Sequence, residues 1–250
     1  MISIIIPVSF ENEIYFSETI NSLKKQSFKK FELIIILDGT VRIDKSNLND
    51  FYKLKILSIK KTGVAKARNV GIAHSSFNII CFLDSDDIWH KDKLKIQFNH
   101  FKKKKIDFSY TKYKLLNKNY ERNVYQIKKI QDLILNNPIC TSSVMINKKL
   151  FFERKFSKIK MRSDFEFWLY LFKKKISLNY INNYNQNLVY YRRHNNSLSS
   201  NKYVATFYHF KVLLDKFNLF FALYLSIKYI VFNLLPLKIS KKFVIINKKR

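Results

Sequence analysis

Glycine is almost missing from this chain: Gly39, Gly63 and Gly71 are the three in 250 residues, and all precede residue 72. Neither the spacing of a glycine-rich dinucleotide loop nor that of a phosphate-cradling P-loop can be written with them, so both devices are excluded. Each glycine becomes instead a candidate for a backbone position that requires one. Cysteine is scarcer still. Cys81 and Cys140 give no disulfide framework, and Cys81 lies inside an apolar run. Met1 leads directly into a strand-like segment with no basic n-region, so no signal peptide is visible, and a reducing cytoplasm fits both facts. Acids are the third shortage: 18 Asp and Glu stand against 47 Lys and Arg, a net charge of +29. The excess is uneven, at +4 over residues 1–100, +16 over 101–200 and +9 over 201–250. Nucleic acid, an anionic membrane or phosphate-bearing substrates would each suit such a field, and a plain bias toward Ile, Lys, Asn and Phe would produce it too.

What is present is concentrated in the first hundred residues. Ile2–Val8 reads as a buried strand, and Phe16, Ile20 and Leu23 recur at helical spacing across Glu13–Gln26. A second strand, Phe31–Leu37, stops at the turn signal Asp38-Gly39-Thr40, and Lys55–Ile59 alternates as a third. Thr62-Gly63 opens a helix running to about His74, and a fourth strand follows at Ile79–Leu83. Strands alternating with helices predict an α/β fold with a parallel sheet, in which ligands collect at the carboxyl ends of the strands. Those ends are Pro7-Val8-Ser9-Phe10, Asp38-Gly39 and Asp84-Ser85-Asp86. Asp84 and Asp86 share a face of an extended chain and are placed to serve one cation; an acidic turn capping the next helix is the alternative, with Asp87 as that cap.

The remainder is harder to divide. Asp92–Lys105 reads as a basic helix, Ile106–Tyr110 as a strand, Ile127–Leu135 as a short helix and Leu188–Tyr191 as a further strand. Asp164–Lys174 places Phe165, Trp168, Leu169 and Phe172 on one helical stripe. Phe217–Leu237 carries Lys228 as its single charge, and that charge near the middle argues against a full membrane span. With Lys238, Lys241, Lys242, Lys248, Lys249 and Arg250 downstream, an interfacial helix pair beside anionic lipid fits better, and a helical cap packed on the domain is the alternative.

Five stretches together resemble family 2 glycosyltransferases of the GT-A fold: Ile4–Val8, Phe31–Ile35, Asp38-Gly39-Thr40, Thr62–Gly71 and Phe82–Trp89. Weaker matches follow at Ser163–Trp168 and Tyr191–Ser199, and none is evident after about residue 200. The resemblance implies a Rossmann-like sandwich with a mainly parallel central sheet, spanning residues 1–200, with a nucleotide-binding half (1–100), an acceptor-binding half (101–200) and a basic, apolar helical tail (201–250). It implies a nucleotide-sugar site of Pro7, Val8, Phe10, Asp38, Arg68, Asp84 and Ser85. Asp38 would hold the edge of a uracil-type base and Phe10 would stack on it. Asp86, with His194, would hold a divalent cation, Mn²⁺ or Mg²⁺, that neutralises the departing nucleoside diphosphate. Asp164 would be the catalytic base of an inverting transfer, taking the proton of the acceptor hydroxyl. Arg192 and Arg193 are placed to bind phosphate or to be surface charge.

The chain departs from the family pattern at Phe10-Glu11, at Leu37-Asp38, where two acids are usual, and at Ser163, where an acid usually precedes the base. The expected activity is sugar transfer from a nucleotide-diphosphate donor, UDP-linked, to a saccharide or lipid-linked acceptor in cell-surface polysaccharide synthesis. The expected place is the inner face of the plasma membrane, against anionic lipid and without nucleic acid as partner. Two other classes are carried beside it. A sugar nucleotidyltransferase would want glycines after the first strand, where Pro7–Asn12 has none. A non-catalytic sugar or nucleic-acid binder would leave the front-half motifs idle.

Overall fold

Seven consecutive buried residues form the first strand, β1 (Ile2–Val8), and its unbroken Ile and Val run is what a strand covered on both faces requires. The computed structural model describes residues 1–10, 12–116, 124–182, 186–194 and 201–234. After β1 come α1 (Glu13–Lys24), β2 (Phe31–Asp38), β3 (Leu54–Ile59), α2 (Val64–His74), β4 (Ile79–Phe82), β5 (Ile88–Trp89) and α3 (Lys93–Lys103). The second part holds β6 (Phe108–Thr111), β7 (Tyr113–Leu115), α4 (Ile130–Asn136), β8 (Met145–Asn147), α5 (Ser163–Lys173), β9 (Asn179–Ile181) and β10 (Val189–Tyr191). Two helices close the described chain, α6 (Lys202–Lys216) and α7 (Leu219–Leu234).

The main sheet has seven strands in the order β3-β2-β1-β4-β8-β6-β9. β8 is the single antiparallel member, pairing that way with both β4 and β6. Strand order reverses beside β1, which lies between β2 and β4 in parallel register: Ile5 is opposite both Ile34 and Phe82. The carboxyl ends of β1, β2 and β4 therefore finish side by side at the switch point where open α/β sheets bind ligands. A second, three-stranded sheet has the order β5-β10-β7, and Arg192, just after β10, donates its N–H to Asp87 beyond the end of β4.

Two glycines earn their places here. Gly71 is where α2 lies against β1, and a Cβ there would fall 2.4 Å from Ile5 Cγ2. Gly63, at φ 92°, is the residue before the first turn of α2. Beneath the second half, Phe151 stacks on Phe167 at 4.7 Å, Phe82 and Trp168 pack edge-on to that pair, Phe156 lies tilted against it, and Phe108 is edge-on to Trp168. That aromatic core anchors α5 against the sheet, and Phe165, Phe167, Trp168, Leu169 and Leu171 are all buried, so α5 is covered nearly all round rather than along one stripe.

The front half follows the sequence expectation closely, and the differences lie behind it. Strands β5, β7, β8 and β9 were not anticipated, being two or three residues long and too short to show a period. Asp87 is not the cap of the next helix: it is wholly buried, and Asp92 stands before α3. The stretch Phe217–Leu237 begins just after α6 and forms, as far as it is described, one helix, α7, started where Asn218 Oδ1 accepts from Phe221 N at 2.9 Å. Residues 235–237, with Glu11 and Asn195–Ser199, lie outside the described residues. No helix among the described residues is long and apolar enough to cross a membrane.

Candidate active site

The turn after β4 is the centre. Leu83 still pairs with β1 through Ile5 O, and the chain then folds back so that Asp87 N donates to Asp84 O at 3.1 Å. Three carboxylates thus leave one strand end in three directions. Asp84 is partly exposed and accepts Arg68 Nη2 at 2.6 Å. Asp86 is mostly covered, and its Oδ2 lies 2.9 Å from His194 Nε2. Asp87 is fully buried, accepting Ser142 Oγ at 2.5 Å and Arg192 N at 2.9 Å. Burial, reinforced by Asp84, raises Asp86 above the ordinary carboxylate range; burial with Asp86 and Asp84 alongside raises Asp87 well above it.

Arg68 comes from α2, whose first turn is fixed by Asp38. The two carboxylate oxygens of Asp38 accept the N–H groups of Thr62 and Gly63 at 2.7 and 2.9 Å. Asp38 exposes no surface, so its geometry is that of an anchor for the loop rather than of a group facing a ligand. Burial works against the charge on Arg68, but Asp84 and then Asp164 outweigh it and raise its affinity for the proton.

Asp164, in the first turn of α5, accepts Thr141 Oγ1 at 3.0 Å. The next residue, Ser142, touches the acidic turn twice: its hydroxyl donates to Asp87 and accepts Asp84 N at 3.1 Å. Its carbonyl accepts Trp89 Nε1 at 2.8 Å. One short 3₁₀ turn, Thr141–Ser143, therefore holds both Asp164 and the carboxylates after β4.

Pro7 and Val8 end β1 opposite Ile36 and Leu37. Val8 and Phe10 line a cavity of about 400 Å³ together with Arg42, Ile43, Asp44 and Asn47. Phe10 also meets the His194 ring at 5.2 Å, and Tyr15 meets it at 5.7 Å. Ser85 is buried within the turn. Arg192 lies over the Tyr15 ring at 4.2 Å, donates from Nε to Asp86 O at 2.9 Å and pairs with Glu18, which also lines the cavity. It is thus a buried strut, whereas Arg193 is exposed.

This arrangement agrees with what comparison finds. The family model described as "Glycosyl transferase family 2" matches residues 3–167. The chain belongs to glycosyl transferase family 2. It is 29% identical over 215 residues to TuaG of Bacillus subtilis (strain 168), named for teichuronic acid biosynthesis, covering 82% of this chain and 84% of TuaG. It is 32% identical over 122 residues to WfgD of Escherichia coli, a UDP-Glc:α-D-GlcNAc-diphosphoundecaprenol β-1,3-glucosyltransferase, covering 48% of each. The fold is that of TarS from S. aureus, solved with UDP-GlcNAc: TM-score 0.65 at 18% identity, over 92% of this chain and 71% of that one. The GT-A architecture expected from the sequence is the one present.

Sequence reasoning about this glycosyltransferase missed Thr141, Ser142, Glu18 and the buried role of Arg192. The run Thr141-Ser142-Ser143 after Pro138 is the one signal available, three hydroxyls placed just before an apolar strand.

Proposed function

We propose that this family 2 glycosyltransferase moves a sugar from a UDP-linked donor to a saccharide or lipid-linked acceptor with inversion, in cell-surface polysaccharide synthesis. The observation that carries the reading is the Thr141–Ser142 link: adjacent residues hold Asp164 on one side and the Asp84–Asp87 turn on the other. A donor-side carboxylate cluster and a single acceptor-side carboxylate are thereby fixed relative to one another, which is what a one-step displacement needs.

The nucleoside would enter the cavity lined by Val8 and Phe10, with Asp38 fixing the Thr62–Gly63 turn at the neighbouring strand end. Arg68 and Asp84 would orient the ribose and donor sugar, with Ser85 closing the turn beneath them. Asp164 would take the proton from the acceptor hydroxyl as that oxygen bonds to the anomeric carbon. The bond to the diphosphate breaks on the opposite face, so configuration inverts and UDP departs with the electron pair.

Asp86 and His194 would hold a divalent cation, Mn²⁺ or Mg²⁺. No group of three or more His, Cys, Asp or Glu able to hold a metal occurs among the described residues. Two protein ligands nevertheless fit an ion that keeps waters and takes its remaining oxygens from phosphate. Such an ion supplies charge neutralisation at the leaving diphosphate.

The relatives' names, for teichuronic acid synthesis and for a diphosphoundecaprenol acceptor, support a surface-polysaccharide assignment; a lipid-linked acceptor of that kind would put the transfer at the inner face of the plasma membrane. Donor hydrolysis and transfer, measured over a panel of nucleotide sugars with Mn²⁺ or Mg²⁺, test the reading. Asp164→Asn should lose roughly 10²- to 10⁴-fold in transfer, the range for removing a positioned base, and Asp86→Ala should abolish the metal response. Unchanged turnover in both would overturn the roles.

A further inference from the structure

Helix α7 is apolar around nearly its whole circumference, yet the described residues cover only one side of it. Ala222, Leu225 and Ser226 are buried, and Tyr229 faces the domain with them. On the opposite side Phe220, Leu223, Tyr224, Ile227 and Ile230 recur at i, i+3, i+4, i+7 and i+10, all exposed, Phe220 by 83% and Ile227 by 61%. A helix apolar all round belongs inside a protein or against lipid, and a contiguous exposed stripe marks an interaction surface.

We propose that this stripe docks on an anionic lipid surface, with α7 lying in the headgroup region rather than spanning the bilayer. Three observations select that occupant. Residues 201–250 carry 10 Lys and Arg against one acid, complementary to anionic headgroups. Lys228 sits at the edge of the stripe, its Nζ 4.4 Å from the Tyr224 ring centroid, the position of a cation that snorkels past an interfacial aromatic. The side of α7 opposite the stripe is held by the protein itself, through buried Ala222, Leu225 and Ser226 and the Arg162–Tyr229 hydrogen bond, so the helix offers lipid one face, as an interfacial helix does.

The docked helix is built onto the catalytic domain. Arg162 Nη2 donates to Tyr229 Oη at 3.0 Å, two residues before Asp164, and Lys216 Nζ pairs with Glu166 at 2.8 Å, two residues after it. Docking therefore sets the height of Asp164 relative to the bilayer in which a lipid-linked acceptor is anchored. This step rests on the transferase reading above.

The test uses the full chain and flotation with vesicles of phosphatidylcholine, alone or with phosphatidylglycerol. Binding to the anionic vesicles is expected, weakened by salt. The paired change Phe220→Ser with Ile227→Ser should lower it by roughly tenfold or more, since each side chain contributes burial worth on the order of a tenfold factor. Tyr52→Ser, at an exposed aromatic far along the chain in β3's approach, should leave it unchanged. The paired variant should keep donor hydrolysis and lose transfer to a vesicle-borne acceptor. Absence of vesicle binding by the unaltered chain overturns the proposal, as does a stripe variant that turns a dimer into a monomer, which assigns the face to a second copy. Absence of donor hydrolysis in a chain that still floats with vesicles faults the transferase reading instead.

Discussion

His209 is the residue whose replacement tests most sharply how the C-terminal hairpin is joined to the catalytic helix. Its ring is sandwiched between Phe165 at 4.7 Å and Tyr229 at 3.9 Å, and among the described residues neither ring nitrogen has a hydrogen-bond partner. Burial, with the Arg162 guanidinium nearby, lowers its pKa from 6.5 to about 3. The unfolded chain therefore takes up a proton below pH 6.5 that the folded chain refuses until about pH 3. Folding is unpenalised above that window and loses stability as pH falls through it. At about 1.4 kcal/mol per unit, the loss at pH 5 comes to about 2 kcal/mol relative to neutral pH. His209→Phe keeps the stack and removes the proton. Urea unfolding at pH 7.5 and pH 5 should show the variant declining less than the unaltered chain, by about 2 kcal/mol. Other titrating carboxylates act equally in both proteins, so the difference isolates the imidazole. Parallel declines would refute the buried, neutral assignment and with it the packing of α6 between α5 and α7.

Gly71→Ala places a methyl 2.4 Å from Ile5 Cγ2, so α2 must shift off β1; a loss of about 1–3 kcal/mol is expected, read as a lower denaturant midpoint. Ser142→Ala removes the donor to buried Asp87 and the acceptor for Asp84 N. Leaving those groups unsatisfied should cost about 1–3 kcal/mol, and transfer should fall by more than stability alone explains, because the turn that carries Asp84 and Asp86 is released. Comparing kcat at a temperature where both proteins are fully folded checks the second effect.

The front half was legible because each element there obeys a period. The Ile-rich strands are continuous, α1 repeats at helical spacing, and each strand end carries a residue that the core would reject unless it had work at the edge. The site's second side was not legible, for a physical reason: Thr141, Ser142 and Arg192 act through backbone and hydroxyl contacts between segments 23, 55 and 105 residues apart, and hydroxyls in a row resemble any polar loop. Nor can spacing say which of Asp84, Asp86 and Asp87 turns inward. All three sit within four positions, and the burial of Asp87 is decided by the reverse turn at Asp84 O and by Ser142, contributed from the distant 3₁₀ turn Thr141–Ser143. Asp38 taught the opposite lesson. Its type and place were read from the sequence, but two main-chain N–H groups occupy it.

The charge distribution adds a last argument about Asp86. The chain holds 47 basic side chains against 18 acids, so an acid in this molecule finds a Lys or Arg partner easily, as Glu32, Asp107 and Glu166 do. Among the described residues Asp86 instead pairs with His194, and Asp87 with a hydroxyl and a main-chain N–H. Arg68 is taken up by Asp84, and Arg192 gives its Nε to the carbonyl of Asp86 and turns its head to Glu18. Lysine and arginine are thus held away from the two carboxylates where mutual repulsion is strongest. A cation from outside would relieve that repulsion further, which favours the metal proposed for Asp86. Mn²⁺ binding in the presence of UDP, followed by calorimetry, should weaken roughly tenfold or more in Asp86→Asn, the scale of losing one directly coordinating or closely supporting group. Equal affinity in the two proteins would remove Asp86 from the metal site and leave its contact with His194 as its role.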